Sequence, residues 1–169
     1  MTNMPTTTPK KLQTPSDLGA AATKKSISVL NPLVADAIAL WLKTKSYHWH
    51  VAGRHFRDYH LLLDEQAGEI LASVDPLAER VRKLGGRTIT SIGMVGKTQS
   101  VMDVDEVSLS ARDMLLDLME ENKRMAAALR HAHSVCDEAG DVGSASILED
   151  FIDQAEERTW FLFETTREQ

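Results

Sequence analysis

The sequence has a single cysteine, Cys136, so no disulfide can form within the chain. That fits a reducing compartment, because disulfide frameworks belong to oxidising ones. Aromatic residues make up only 5% of the chain. No uninterrupted apolar run reaches the ~18 residues that a membrane-spanning helix needs. Lys10 and Lys11 are not followed by the apolar segment of a secretory signal. Strand-like alternation and internal repeats are both missing. An excess of positive charge is missing too. Nineteen Lys and Arg face 25 Asp and Glu, for a net charge of −6. A surface that coats nucleic acid uniformly is thereby excluded, since such binding comes largely from phosphate neutralisation. An acidic surface instead attracts cations.

What is present favours helix. The chain has 169 residues, 43% of them apolar, enough for one domain with a useful core. Alanine, leucine and methionine are plentiful, and all three are good helix formers. Residues 1–24 read as a flexible, mildly basic tail. It carries Pro5, Pro9 and Pro15, with Lys10, Lys11 and Lys24 set against Asp17. Thr14-Pro15-Ser16-Asp17 could cap a short helix there. Residues 25–169 read as the folded domain.

Four long helices are expected in that domain. Asn31 suits an N-cap and Pro32 a first helical position. Val34, Ile38, Trp41 or Leu42, Lys45 and Trp49 follow at helical spacing, and Gly53 ends the run. The second helix is the most regular. Leu63, Ala67, Ile70, Val74, Leu77, Val81 and Leu84 alternate steps of four and three, the pattern of a bundle seam. Gly85-Gly86 stops it. Pro76 interrupts the pattern and predicts a kink or break. Residues 87–107 form a connection too long for a plain turn. It is expected to cross from one end of the bundle to the other, with room for a short helix. The third helix spans Ser108 to Cys136 on a seam of Ala111, Leu115, Leu118, Asn122, Met125, Leu129, Ala132 and Cys136. The fourth starts near Ser144 or Ser146, where Ser146 and Glu149 make a capping box. The fold class is all-α: a ferritin-like four-helix bundle with a long crossover between the second and third long helices.

The sharpest chemical signal lies between residues 48 and 79. His48 ends the first long helix. His60 and Asp64 share a face of the second, and so do Asp75 and Glu79, because each pair is four apart. Two imidazoles and three carboxylates suit iron, manganese or zinc. One chain cannot bring all five together. Fifteen residues separate His60 from Asp75, roughly 22 Å along a helix. Across a twofold axis, however, His60 and Asp64 of one copy can face Asp75 and Glu79 of another, which gives two equal sites per dimer. The Glu-x-x-His pairs of an iron site inside a bundle are absent.

The run His48-Trp49-His50-Val51-Ala52-Gly53, with Phe56, His60, Asp64, Asp75, Ala78-Glu79-Arg80 and Gly85-Gly86, resembles the signature of the Dps family, the DNA-binding proteins from starved cells. Trp160-Phe161 is similar as well, and the resemblance covers about residues 28–167. It implies iron ligation by His48, His60 and Asp64 of one subunit with Asp75 and Glu79 of its partner. It also implies a hollow shell of twelve subunits that oxidises Fe(II), preferably with hydrogen peroxide rather than dioxygen, and stores a ferric mineral. Trp49 would lie beside the iron pair, and Asp141 at an acidic pore that admits iron. A lysine-bearing tail binds DNA in some members. The implied setting is the cytoplasm, on the nucleoid if DNA is bound, with no membrane partner.

Two other functions share these residues. One is an architectural DNA-protecting shell with secondary metal sites. The other is a zinc or manganese buffer without redox turnover. Ordinary readings apply to the remaining candidates. His50 and His55 read as surface residues or as supports behind the ligands. His131 and His133, two apart, cannot share a helix face. Cys136 reads as core packing. Asp137, Glu149 and Asp150 read as caps or solvated charges.

Overall fold

The seam expected along the second long helix is buried as a unit. Leu63, Ala67, Ile70, Leu77, Val81 and Leu84 are all in the core, with Val74 half-buried against it. The computed structural model describes residues 9–167. Residues 1–8 of the expected tail, and residues 168–169, lie outside the described residues. The described chain is all-helical: α1 (Gly19–His50), α2 (Phe56–Lys83), α3 (Ile92–Thr98), α4 (Ala111–Glu138) and α5 (Val142–Thr166). α1 packs along α2 and α4 along α5, so the bundle is two helical hairpins laid face to face. The crossover between them carries α3, which rests on α1. The seam of α4 is also buried as expected from Leu115 to Cys136. Each fully buried leucine of these seams contributes about 2 kcal/mol of transfer free energy.

α1 differs from expectation at its start. It begins at Gly19, not after Asn31, so residues 19–24 are helix rather than tail. Pro32 sits inside it. The carbonyl that Pro32 cannot pair belongs to Ser28, which is exposed, so water can take it. Asn31 does not cap; its Nδ2 donates to the Arg87 carbonyl at 2.9 Å and ties α1 to the crossover. The buried stripe also differs. Leu30, Leu33, Leu40, Thr44 and Tyr47 point inward, while Leu42 and Trp49 are exposed. A helix apolar on more than one face admits more than one stripe. By length and composition α1 could cross a bilayer, but more than half of its most apolar stretch is buried inside the bundle.

α2 runs unbroken through Pro76. The carbonyl left unpaired there is that of Ala72, also exposed. Gly85, at φ 80°, then ends the helix. The Gly86 amide donates to Val81 and the Gly85 amide to Arg82, closing the last turn. Arg82 also holds the segment before α1, donating from Nη2 to the Leu12 carbonyl at 2.8 Å.

The fourth long helix, α5, starts earlier than Ser146. Gly140 (φ 73°) turns the chain. Asp141 then caps α5 by accepting from the Ser144 amide at 3.1 Å. The side chain of Asp141 is fully buried, with its second oxygen bonded to the Ser144 hydroxyl and an ion pair to Arg80. Burial alone would raise this carboxyl, but the hydrogen bonds from Ser144 and Arg80 hold it below the usual carboxylate range. Within the single chain this carboxylate is engaged by Ser144 and Arg80, and the pore role expected of Asp141 would require it to leave them.

Candidate metal centre

The five-residue turn Val51–His55 returns the chain on itself, so the last turn of α1 lies beside the first turns of α2. The end of α1 is fixed from below by a buried polar network. Lys43 Nζ lies 2.6 Å from Asp117 Oδ2 and 3.2 Å from Glu121 Oε1, and donates to the Met102 carbonyl at 2.9 Å. The Tyr47 hydroxyl donates to Asp117 at 2.6 Å. Burial and that carboxylate push the Tyr47 phenol far above its usual range. His48 is therefore carried on a helical turn anchored to α4 and to the crossover.

His48 and His60 form one unit. Their rings stack with centroids 3.7 Å apart and 21° between planes. His48 Nδ1 lies 2.8 Å from the His60 carbonyl oxygen, and His60 Nδ1 lies 2.8 Å from the His48 carbonyl oxygen. A carbonyl can only accept, so each Nδ1 must carry the proton. In the neutral ring this tautomer leaves Nε2 with its lone pair, the form that ligates a metal. Phe56 covers the outer side, 5.0 Å from the His60 ring.

Asp64 completes this half of the arrangement. Its Oδ1 lies 4.0 Å from His48 Nε2 and 2.7 Å from Lys45 Nζ. The hydrogen bond and charge of Lys45 hold the Asp64 carboxyl below its ordinary value. Sequence reading missed this partner. It placed Lys45 on the apolar seam, although a residue three before His48 lies on the same helix face as His48.

Asp75 and Glu79 lie further along α2, both exposed, and Glu79 pairs with Lys83 at 3.2 Å. Among the described residues, no group of three or more His, Cys, Asp or Glu side chains is placed to hold a metal within one chain. The two halves thus remain apart. They do share one outward stripe of α2. Leu61, Asp64, Gly68, Ala72, Asp75 and Glu79 step by three or four residues, and all are exposed.

The other candidates have ordinary surroundings. Trp49 is 58% exposed. It lines a groove of about 420 Å³ between α1 and the crossover. His50 bonds the Ser46 carbonyl at 2.7 Å and His55 leans on Tyr59. His133 faces Glu149 at 3.2 Å. Cys136 is fully buried, which pushes its thiol up.

The ferritin-like domain family is matched over residues 27–168. A DNA protection during starvation protein of Agrobacterium fabrum is 33% identical over 153 residues, covering 90% of this chain and 94% of that one. DNA protection during starvation protein 1 of Deinococcus radiodurans is 34% identical over 129 residues. That match covers 76% of this chain and 62% of that relative's length. Among solved structures, DpsC from Streptomyces coelicolor superposes with a TM-score of 0.89 at 30% identity, covering 93% of this chain and 92% of that one. Dps from Thermosynechococcus elongatus gives 0.84 at 27%, covering 89% and 97%. These matches span the bundle together with the crossover, and this chain belongs to the Dps family of ferritin-like proteins.

Proposed function

We propose that this protein is an iron-storing ferroxidase whose metal sites are shared between two subunits. His48, His60 and Asp64 of one subunit, with Asp75 and Glu79 of its partner, hold the iron. The observation that carries this is the reciprocal bonding of the two histidines. It turns both Nδ1 atoms to the backbone and leaves both Nε2 atoms free of it, with that of His48 4.0 Å from the Asp64 carboxylate. A set of neutral nitrogens and anionic oxygens suits Fe(II) as the substrate. Asp64 and Glu79 offset the charge of the ion, and Glu79 is suited to bridge two irons. Trp49, exposed beside His48, would pack near the pair once a partner covers it.

Two irons per site match the electron count of peroxide. One hydrogen peroxide takes two electrons and yields two Fe(III) and two hydroxide ions. A single iron would supply one electron and release hydroxyl radical. Paired oxidation therefore protects DNA without touching it, a role that the names of the Agrobacterium and Deinococcus relatives suggest. The ferric product is stored as mineral inside a closed shell of twelve subunits in the cytoplasm. Exposed Leu61, Leu71 and Phe56 beside the ligands, and Trp160, Phe161 and Phe163 on α5, support burial between copies.

The test is Fe(II) oxidation followed anaerobically with hydrogen peroxide and aerobically without it. Wild type should outpace buffer with two Fe(II) consumed per peroxide, and His60→Ala should not. A wild type no faster than buffer would end the ferroxidase reading. The architectural reading would then lead, with DNA contacted through Lys10 and Lys11 ahead of α1 and through Lys24 and Lys25 in its first turns. A mobility shift of DNA, lost on deleting residues 1–18, tests that reading directly.

A further inference from the structure

The half-site on α1 and α2 already holds a cation. Lys45 Nζ sits 2.7 Å from Asp64 Oδ1, and that oxygen is the one that also faces His48 Nε2. The Lys45 side chain is only 20% exposed, so its stem is packed and its ammonium is held in place. Lys83 on Glu79 is a different kind of contact. At 57% exposure and with i,i+4 spacing it is an ordinary surface pair that opens at little cost.

We infer that Lys45 is a stand-in cation that occupies Asp64 in the metal-free protein and must leave that oxygen when a divalent ion binds. The inference rests on the reading of the five ligands as one split site. Its physical basis is charge. Joining the two halves gathers Asp64, Asp75 and Glu79 around two imidazoles. Without a metal, three like charges would meet at the subunit boundary, and such gatherings oppose association. Lys45 neutralises one of them, so the subunits can pair before iron arrives. The same contact weakens metal binding, because the ion competes with an ammonium for a charge-assisted hydrogen bond. Lys45 thus sets how much free metal is needed to fill the site.

The test uses Co(II), which binds such ligands without being oxidised by dissolved oxygen on the timescale of a titration. Calorimetric titration of the metal-free full-length protein is compared for wild type, Lys45→Gln, Lys45→Arg, Lys83→Gln and His60→Ala. Lys45→Gln should bind Co(II) about tenfold more tightly, the effect of deleting a competing charged hydrogen bond. Lys45→Arg should stay close to wild type, and Lys83→Gln within about twofold, as expected for an exposed pair. In sedimentation, metal-free Lys45→Gln should dissociate more readily than wild type, and Co(II) should restore it. A general structural defect would lower affinity, so a gain is the distinguishing sign. If His60→Ala loses Co(II) but Lys45→Gln binds no more tightly than wild type, the stand-in role is overturned and the split site stands. If wild type binds no more Co(II) than His60→Ala, the site itself fails.

Discussion

His48 and His60 each donate the Nδ1 proton to the other's backbone carbonyl, at 2.8 Å in both directions. Because the acceptors are main-chain atoms, replacing one imidazole leaves the other's hydrogen bond in place. The two histidines are therefore separable. His60→Ala should lower metal affinity by at least about tenfold, since losing even a group that only orients a ligand costs about 10–100-fold. It should lower thermal stability only modestly, since His60 lies half-buried at the edge of the hairpin. Calorimetry with Co(II) and a melting curve on the same sample check both parts.

Gly68 lies between the carboxylate pairs on the outward stripe of α2. A Cβ built there meets nothing within 4 Å in the chain. Glycine inside a helix costs about 1 kcal/mol relative to alanine, so its own subunit gains nothing from it. Two antiparallel copies of α2 approaching across this stripe would use the space. Gly68→Phe should leave helix content intact by circular dichroism yet reduce assembly and metal binding together. A full-size assembly with wild-type metal binding would place the subunit contact elsewhere.

Pro76 disrupts no buried hydrogen bond, since the carbonyl it leaves belongs to exposed Ala72. The helix nonetheless lacks one internal bond. Pro76→Ala should stabilise the fold by about 1–3 kcal/mol on helix propensity, less the entropy that proline removes from the unfolded chain. Thermal melting should show the gain, with Fe(II) oxidation unchanged because Asp75 already sits on a continuous helix.

Asp141 joins α5 to α2 through Arg80. Asp141→Ala removes a helix cap and leaves Arg80 without its carboxylate, a loss of about 3 kcal/mol. The folded-state pKa of Asp141 is depressed. Its contribution is therefore complete above the unfolded aspartate value near ~3.9 and is lost as pH falls through the lower folded value. Melting temperatures of wild type and Asp141→Ala should differ most at neutral pH and converge below about pH 3.9. A gap that stays constant down to pH 2 would show that the carboxylate charge is not what Arg80 uses.

Much of the bundle was legible because its signals are local. The steps of four and three along α2 and α4 depend on neighbours within one helix, and both seams are buried as read. The start of α1 was misread for the same reason. Asn31-Pro32 is a good local start signal, but the Asn31 side chain is used by Arg87, 56 residues away. Similarly, Ser146 and Glu149 have the spacing of a capping box, while the cap is Asp141, secured by Arg80 at a separation of 61 residues. The shared outward faces of His60 with Asp64 and of Asp75 with Glu79 were legible from spacing. The contact of Lys45 with Asp64 was not, since it depends on how two helices are rotated against each other.

The central claim is that ligands from two chains make one site, and subunit mixing tests it most directly. His60→Ala breaks one half-site and Glu79→Ala the other. Each variant alone should be inactive in Fe(II) oxidation. In a mixed dimer, one of the two sites receives both intact halves. Co-expression in equal amounts should then restore about a quarter of wild-type activity, since half of the dimers are mixed and each holds one whole site. If native mass spectrometry confirms mixed assemblies and activity remains at the level of the separate variants, the shared site is contradicted.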